Sequence, residues 1–347
     1  GQWLAFLSTR DGGAAQVYIL SPAGGEARRL TQLLDGAAAI TWGPDSRTLI
    51  VQSRVYADCP AAPAVGSEEC QKRRTDAREA SPMQVRMMDR LFYRHWDSWN
   101  DGRRSHLFRL QVPRPGETVA PLVDLTPGDH DAPPLARAGA QPFSQSPDGR
   151  ELAYVQNRDK DLATSTNNDI FLQPLDAQGR PQGAARNLTA SNLATDATPR
   201  YSPDGRYIAY LAQRRPGFEA DRFEVVLLDR QSGQSRSLTA GFDSTIGELA
   251  WSPDSQRLFF TTSLLGRGAI YSCDLSGRTP PTPVSSGDSH DIQLVRAATG
   301  SVLFFLRSTL SRPAEAYALP LDAAGRPLTS DAQPLTAQNA PALSTLR

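Results

Sequence analysis

Ser202-Pro203-Asp204-Gly205-Arg206-Tyr207-Ile208-Ala209-Tyr210-Leu211 is a tight turn followed at once by a short apolar run. Proline presets φ, aspartate can bond its own backbone two residues on, and glycine takes the positive φ that closes the turn. The run behind it has strand length and is rich in β-branched and aromatic residues, so turn and run together form half of a hairpin. The pattern recurs at Ser146-Pro-Asp-Gly149, Trp42-Gly-Pro-Asp45-Ser46 and Trp251-Ser-Pro-Asp254-Ser255, each followed by its own apolar run. The opening Gly1-Gln2-Trp3-Leu4-Ala5-Phe6-Leu7 reads as the tail of a fifth copy whose turn precedes the first residue. On that reading the chain is a piece of a longer protein.

A second marker follows each hairpin: Leu30-Thr31, Leu125-Thr126, Leu188-Thr189, Leu238-Thr239 and Leu335-Thr336, with Val284-Ser285 as a degenerate copy. Another strand lies ahead of each marker, beginning at Gln16, His106, Asp169, Glu224 and Ala269. The unit is therefore four strands, which at a period of roughly 40–60 residues marks an all-β β-propeller blade. One such sheet cannot bury both of its faces alone, so blades must stack. Six blades are visible over residues 1–347, the first lacking its innermost strand, and the tail Ala340 to Arg347 is expected to start another, for seven in the intact protein. A solenoid β-helix is the rival, but its repeat is shorter and needs no Pro-Asp-Gly hairpin.

Lys+Arg and Asp+Glu both number 37, so no whole-chain field favours nucleic acid or an acidic membrane surface. Every apolar run is strand-sized, so no membrane span is expected. Cys59 and Cys70 lie close together in a polar stretch and read as a disulfide of an oxidising compartment, with Cys273 apart in a strand; two unrelated thiols are the alternative. The histidines are scattered and no Cys-x-x-Cys spacing occurs, so neither metal nor cofactor is expected.

The second blade carries an insertion, residues 55–105. After the cysteines comes a charged stretch, Gln71 to Glu79. Ser81-Pro82 then reads as a helix start, with Val85, Met88 and Phe92 on one apolar face as far as Tyr93-Arg94. Arg94-His95-Trp96-Asp97-Ser98-Trp99 follows. Its tryptophans either anchor the insertion onto the propeller or help to line a substrate site.

Residues Arg94 to Phe108 resemble a hallmark stretch of the dipeptidyl-peptidase V-like and acylaminoacyl-peptidase-like serine peptidases of the prolyl oligopeptidase family. Ser202 to Arg230, with its Gly217-Phe218-Glu219-Ala220-Asp221, resembles the same group, and Asp129-His130-Asp131-Ala132-Pro133-Pro134 also fits. That resemblance implies a propeller followed by a C-terminal α/β-hydrolase domain holding a Ser-Asp-His triad. No Gly-x-Ser-x-Gly elbow occurs in this sequence. Ser289, His290 and Asp291 are adjacent, whereas a triad is assembled from distant positions. The chain is therefore expected to contain no catalytic residue and to stop before the hydrolase domain.

The reading that follows is the non-catalytic propeller of a periplasmic or secreted exopeptidase, partnered by the hydrolase domain of the same protein and by an oligopeptide substrate. It would cover the active site, exclude large substrates and help to bind the peptide's amino terminus. Glu219 and Asp221 are the candidate acids, with Phe218 as an apolar wall; pairing with Arg215 and Arg222 at the surface is their bland alternative. Asp97, flanked by Trp96 and Trp99, is the next candidate, with Arg94 and His95 beside it. A stand-alone periplasmic interaction propeller of TolB type is the alternative function. A carbohydrate- or metal-binding propeller rests on Asp129 to Asp131 alone, residues that equally serve as turn formers.

Overall fold

The computed structural model describes residues 2–59, 68–83, 85–88, 91–114, 116–136, 139–286, 288–297, 300–329 and 331–345. The fold is a six-bladed β-propeller of antiparallel sheets. Blade 1 has three strands, β1 (Leu4–Ser8), β2 (Gln16–Leu20) and β3 (Arg28–Arg29). In blade 2, β4 (Ala39–Trp42) and β5 (Thr48–Tyr56) are followed by an insertion with α1 (Glu68–Glu79), β6 (Arg94–His95) and β7 (Ser98–Trp99). The blade then resumes with β8 (Arg103–Gln111) and β9 (Val123–Asp124). Blade 3 is β10 (Phe143–Gln145), β11 (Glu151–Gln156), β12 (Asp169–Pro174) and β13 (Arg186–Asn187). Blade 4 is β14 (Asp196–Tyr201), β15 (Tyr207–Ala212), β16 (Glu224–Asp229) and β17 (Ser235–Ser237). Blade 5 is β18 (Ile246–Trp251), β19 (Arg257–Leu264), β20 (Arg267–Asp274) and β21 (Thr282–Ser286). Blade 6 is β22 (Asp288–Ala297), β23 (Gly300–Thr309), β24 (Arg312–Leu321) and β25 (Gln333–Pro334). Two compact units divide the chain, Gly1–Arg137 with Asp148–Ala190, and Ala138–Pro147 with Ser191–Arg347.

The repeated turn works as its residues require. Asp45, Asp148, Asp204 and Asp254 each accept, on a carboxylate oxygen, the N–H two residues on, at 2.9–3.1 Å. Ser202 and Ser252 donate to Asp204 and Asp254 and accept the N–H of Tyr207 and Arg257. The next position is left-handed: glycine at Gly149 and Gly205, serine at Ser46 and Ser255.

The Leu-Thr marker is a backbone clamp. In five blades the leucine N–H bonds a carbonyl of the strand next to the outermost, that of Val17, Leu107, Ile170, Val225 or Ala316, at 2.7–2.8 Å. The threonine hydroxyl accepts the N–H of that same residue at 2.9–3.0 Å. A polar residue precedes each clamped residue and ties the fourth strand or the turn after it: Gln16, His106, Asp169, Glu224 and Glu315.

Faces are buried on both sides because sheets pack on sheets. In β19, Leu258 and Phe260 pack with Val225, Leu227 and Trp251, whereas Phe259 between them packs with Leu303, Phe305 and Leu319. The indole of Trp251 also donates to the carbonyl of Arg200 at 3.1 Å. In the first unit Val17, Ile19, Leu49, Val51, Phe108 and Leu110 form the corresponding core, with Trp3 and Trp42 packed against it.

Two sequence expectations are corrected. The helix of the insertion is α1, inside the charged stretch, and the described residues between Ser81 and Tyr93 contain no helix. Apolar periodicity could not find α1, because it has no apolar stripe and Gln71 is its buried residue. Glu68 and Glu69 in its first turn and Arg78 in its last suit the helix dipole, and Lys72–Asp76 spans one turn at 2.5 Å. The described residues of the tail form no strand: Ala340–Leu343 are one short helix, α2, with a proline at its start. Ser289, His290 and Asp291 fall in β22, and their side chains lie outside the described ones.

His106 supplies a test of the clamp. It is 2% exposed, with Nδ1 2.8 Å from the Asp124 carboxylate and Nε2 2.9 Å from the Gly128 carbonyl. Both partners are acceptors, so both bonds are made only by the imidazolium. Burial opposes that charge, but the Asp124 carboxylate, the Gly128 carbonyl and Asp131 together outweigh it and raise the pKa above the ordinary 6.5. A raised folded pKa gives stability that is present below the unfolded value and is lost as pH rises through the folded one. Thermal denaturation should therefore show the melting temperature of the parent falling as pH is raised above neutrality, and a shallower fall for His106→Gln; parallel profiles would show that His106 is not charged in the fold.

Candidate functional site

The ends of β5 and β8 raise the insertion. Their register pairs Arg54 with Ser105, Val55 with Arg104 and Tyr56 with Arg103. At the foot, Asp101 accepts from Arg54 at 2.6 Å and lies 3.3 Å from Arg103 and 3.5 Å from Arg78. Asp35 accepts from the same Arg103 nitrogen, Nη1, at 2.7 Å. Burial lifts the Asp35 carboxyl above its ordinary range despite both arginines. Helix α1 is tied to the same place three ways. Cys59 and Cys70 form a disulfide, Gln71 bonds both the N–H and the carbonyl of Tyr56 at 2.8 and 3.0 Å, and Arg74 pairs with Asp58. The guanidiniums of Arg74 and Arg103 lie over the Tyr56 ring, 4.7 and 5.0 Å from its centre.

Between this foot, residues 85–88 and 91–92, and the stretch leading into blade 3 lies a cleft of about 700 Å³ in the first unit. Its floor is a charge cluster. Arg104 reaches Asp129 at 2.7 Å and Asp131 at 3.6 Å, and the N–H of Ser105 donates to Asp131 at 2.7 Å. Burial pushes the Asp131 carboxyl up, against the pull of the Ser105 N–H and Arg104. His130 lines the cleft, and burial together with Arg158 lowers its imidazole below 6.5, so it is neutral at pH 7. The rim carries Arg86, Arg158 and Lys160, with Arg86 lying 4.7 Å over the Trp99 ring. Val85, Met87, Met88 and Leu91 form an exposed apolar wall. Such a lining can hold an extended chain through apolar contacts and charged groups. Among the described residues there is no group of three His, Cys, Asp or Glu placed to hold a metal ion.

Arg94 to Trp99 form the β6–β7 hairpin next to the cleft, whose lining includes their flanks Phe92 and Asn100 but not these six residues. Arg94 pairs with Trp99 and His95 with Ser98 across the hairpin. Trp96 and Asp97 are at its tip, Trp96 with φ of 50° and 85% exposed, Asp97 exposed. His95 stacks on Trp96, with ring centres 6.0 Å apart. The tryptophans therefore do not anchor the insertion: Trp99, at 45% exposure, holds Arg86 and Tyr93 instead of core.

Phe218, Glu219 and Asp221 lie in the second unit, on the connection from β15 to β16. The Asp221 carboxylate accepts the N–H groups of Arg214 and Arg215, both at 2.9 Å. Partial burial works against its charge, but these bonds and the Arg222 N–H hold its carboxyl below the ordinary range. Gln213 bonds the carbonyls of Glu219 and Asp221 and fixes the loop from beneath. Asp221 thus builds the loop, while Glu219 is exposed on it and Phe218 carries Arg215 over its ring at 4.0 Å. Arg222 turns inward to Glu224 at 2.8 Å. Sequence reading passed over Arg104, Asp101, Asp35 and Arg158; the available signal was charge clustered at the ends of two paired apolar strands.

No family model matches the chain. Over 184 residues it is 28% identical to dipeptidyl-peptidase 5 of Porphyromonas gingivalis, a match covering 50% of this chain and 25% of that protein. The chain is similar to dipeptidyl-peptidase 5. That bears out the resemblance carried by the segments from Arg94 and from Ser202. Its matches span between 25% and 34% of the length of the first three such relatives. Among solved structures, the acylaminoacyl peptidase of Pyrococcus horikoshii superposes with a TM-score of 0.64 at 15% identity, covering 100% of this chain and 45% of that one. The β-propeller domain of the Trilobed protease from Pyrococcus furiosus gives 0.55 at 11% identity, covering 98% and 80%. TolB from Acinetobacter baumannii gives 0.52 at 12% identity, covering 92% and 61%. These structural likenesses establish the propeller fold. No helix among the described residues is long and apolar enough to cross a membrane.

The tether of α1 can be tested through its cysteines. Closing so short a loop contributes somewhat under the ~3 kcal/mol of a 15-residue loop. Alkylation of unfolded, unreduced protein should tag Cys273 alone, and reduction should lower the protection of α1 from amide exchange while leaving β19 unchanged. Three tagged cysteines would remove the disulfide from the account.

Proposed function

We propose that the chain is the non-catalytic propeller domain of a dipeptidyl- or acylaminoacyl-type serine exopeptidase. It covers the active site of an α/β-hydrolase domain in the same polypeptide, keeps large substrates out and helps to hold the amino terminus of an oligopeptide. The observation that carries this reading is the 28% identity with dipeptidyl-peptidase 5 over half of the chain. A disulfide in the insertion fits a periplasmic or secreted protein.

Exposure favours two acids for a contact with the peptide's ammonium. The Asp221 carboxylate accepts N–H groups of its own loop, whereas Glu219 on blade 4 and Asp97 beside Trp96 on blade 2 are exposed to solvent. A carboxylate about 4 Å from an ammonium supplies ~4 kcal/mol at an effective dielectric near 20, before desolvation. A fixed charge at that distance also sets how far the chain reaches toward the cut bond. The second reading, a stand-alone scaffold, is favoured by the TolB superposition, which has the lower TM-score and says nothing of the cleft.

Two measurements test the proposal. The purified 347-residue chain should not turn over a dipeptidyl chromogenic substrate, since triad and oxyanion hole supply most of such a rate. In the full-length protein, Glu219→Gln or Asp97→Asn should reduce the preference for a free over an N-acylated dipeptidyl substrate by about tenfold, equivalent to ~1.4 kcal/mol. Asp221→Asn should instead lower the melting temperature. Turnover by the isolated chain, or an unchanged preference in both variants, would refute it.

A further inference from the structure

The cleft of the first unit carries positive charge that its own residues leave unused. Six Arg and Lys side chains line it against four carboxylates, in a chain whose overall charge is zero. Each of those carboxylates is taken up within the chain. Asp101 accepts from Arg54 and lies close to Arg103, and Asp129 and Asp131 face Arg104. Asp159 turns back on its own loop, where it accepts from the Ser165 hydroxyl at 2.6 Å and the Asn167 amide at 3.2 Å. Among the cations, Arg74 and Arg78 are matched by Asp58 and Asp101. Three others have no carboxylate partner among the described residues. Arg86 lies over the Trp99 ring, Arg158 donates to Gln156 at 2.7 Å and lies 4.0 Å over the Phe171 ring, and Lys160 is exposed.

These three cations come from two elements, Arg86 from the insertion and Arg158 and Lys160 from the connection between β11 and β12. That connection is braced: Asn157 donates to Ser165 and Asn168, and Asn168 donates to the carbonyl of Ala136. The adjoining His130 responds to the same surplus. After burial, Arg158 is the largest influence holding its imidazole below 6.5, against the opposite pull of Asp129. Apolar surface shares the cleft with this charge. Val85, Met87, Met88, Leu91 and Leu135 line it and are all exposed, Met87 by 91%, so the chain itself does not cover them. Apolar side chains gathered in one exposed concavity mark a binding surface, and methionine adapts to occupants of varied shape. A volume of about 700 Å³ lies within the ~300–1,000 Å³ usual for ligand clefts.

We infer that this cleft selects peptides bearing a carboxylate, either an acidic side chain or the free carboxyl terminus, with apolar residues beside it seated on the Val85–Met88 wall. Exposed ion pairs add little affinity in water, so the apolar wall supplies most of the binding and the cations supply the choice. Arg86, Arg158 and Lys160 are opposite in sign to Glu219 and Asp97, so they address a different part of a peptide from its ammonium. Which part rests on the peptidase reading above: in an exopeptidase that removes amino-terminal dipeptides, the carboxylate belongs to the departing segment. Binding by the cleft does not depend on that reading.

Calorimetric titration of the 347-residue chain with four peptides tests this without catalysis. The peptides are Ala-Ala-Leu-Glu-Leu-Ala and its Gln counterpart, each with a free or an amidated carboxyl terminus. The Gln amide, which has no carboxylate, should bind about tenfold more weakly than the best of the others, and raising salt from about 0.05 to about 0.5 M should shrink that gap. The Glu amide and the Gln free acid separate a side-chain carboxylate from a terminal one, and an advantage in either supports the site. Joint Arg86→Gln and Lys160→Gln substitution should cut the advantage to about twofold, and Lys160→Glu, a single change at an exposed position, should also reduce it. Arg312→Gln, exposed on blade 6, should leave it intact. Equal affinity for all four peptides, binding of none, an advantage that survives Lys160→Glu, or one lost in Arg312→Gln overturns the inference. If the full-length protein cleaves none of these peptides while the chain binds them with this preference, the peptidase reading falls and the cleft's selectivity stands.

Discussion

One backbone residue in the strand next to the outermost of each of five blades is held by both its amide groups, its N–H by a threonine hydroxyl and its carbonyl by a leucine N–H. Much else depends on that clamp. It seals the outer strand, where a two- or three-residue strand has too few ladder bonds to hold itself. It also fixes the chain at the point where it leaves one blade for the next. The polar residue ahead of the clamped position closes the arrangement, and its identity varies freely: glutamine, histidine, aspartate or glutamate does the same work with different charge. Buried polar groups are tolerable here because each has its partner.

The clamp and the Ser-Pro-Asp turn occupy opposite ends of a blade, and this divides short self-bonded turns from connections that can lengthen. Turns at one end must be short and self-bonded, so they accept little variation. At the other end the second-to-third connection is free to grow, since β5 and β8, or β15 and β16, stay paired whatever is placed between them. Helix α1, the hairpin bearing Trp96 and the loop bearing Glu219 are all such growths. Each is secured at its base by bonds to backbone: Gln71 to Tyr56, Asn100 to Phe92 and Tyr93, Gln213 to the loop carbonyls. A rigid sheet holding a tethered loop is how a binding group can be positioned without being buried.

Charge in the first unit follows the same economy. Arg54, Arg103 and Arg104 alternate with Asp35, Asp101, Asp129 and Asp131 at the foot of the insertion, and the half-buried carboxylates are each matched by a guanidinium. Such pairs add little net stability compared with apolar packing, but breaking one strands its partner. Their effect is to fix where the insertion stands.

The order of strands, the period of the blade and the place of the insertion were legible from residues 42–46, 146–149, 202–205 and 251–255 and from the Leu-Thr pairs, because turn chemistry and short-range hydrogen bonds are local. Helix α1 was not, since charge pairs and a disulfide hold it where an apolar stripe would normally give the signal. Tertiary structure alone decided that Asp221 is an architectural acid and Glu219 an exposed one, two residues apart and chemically alike. It likewise decided that Trp96 faces water. Those distinctions depend on which backbone groups fold back within reach, and residue type and spacing do not encode that reach.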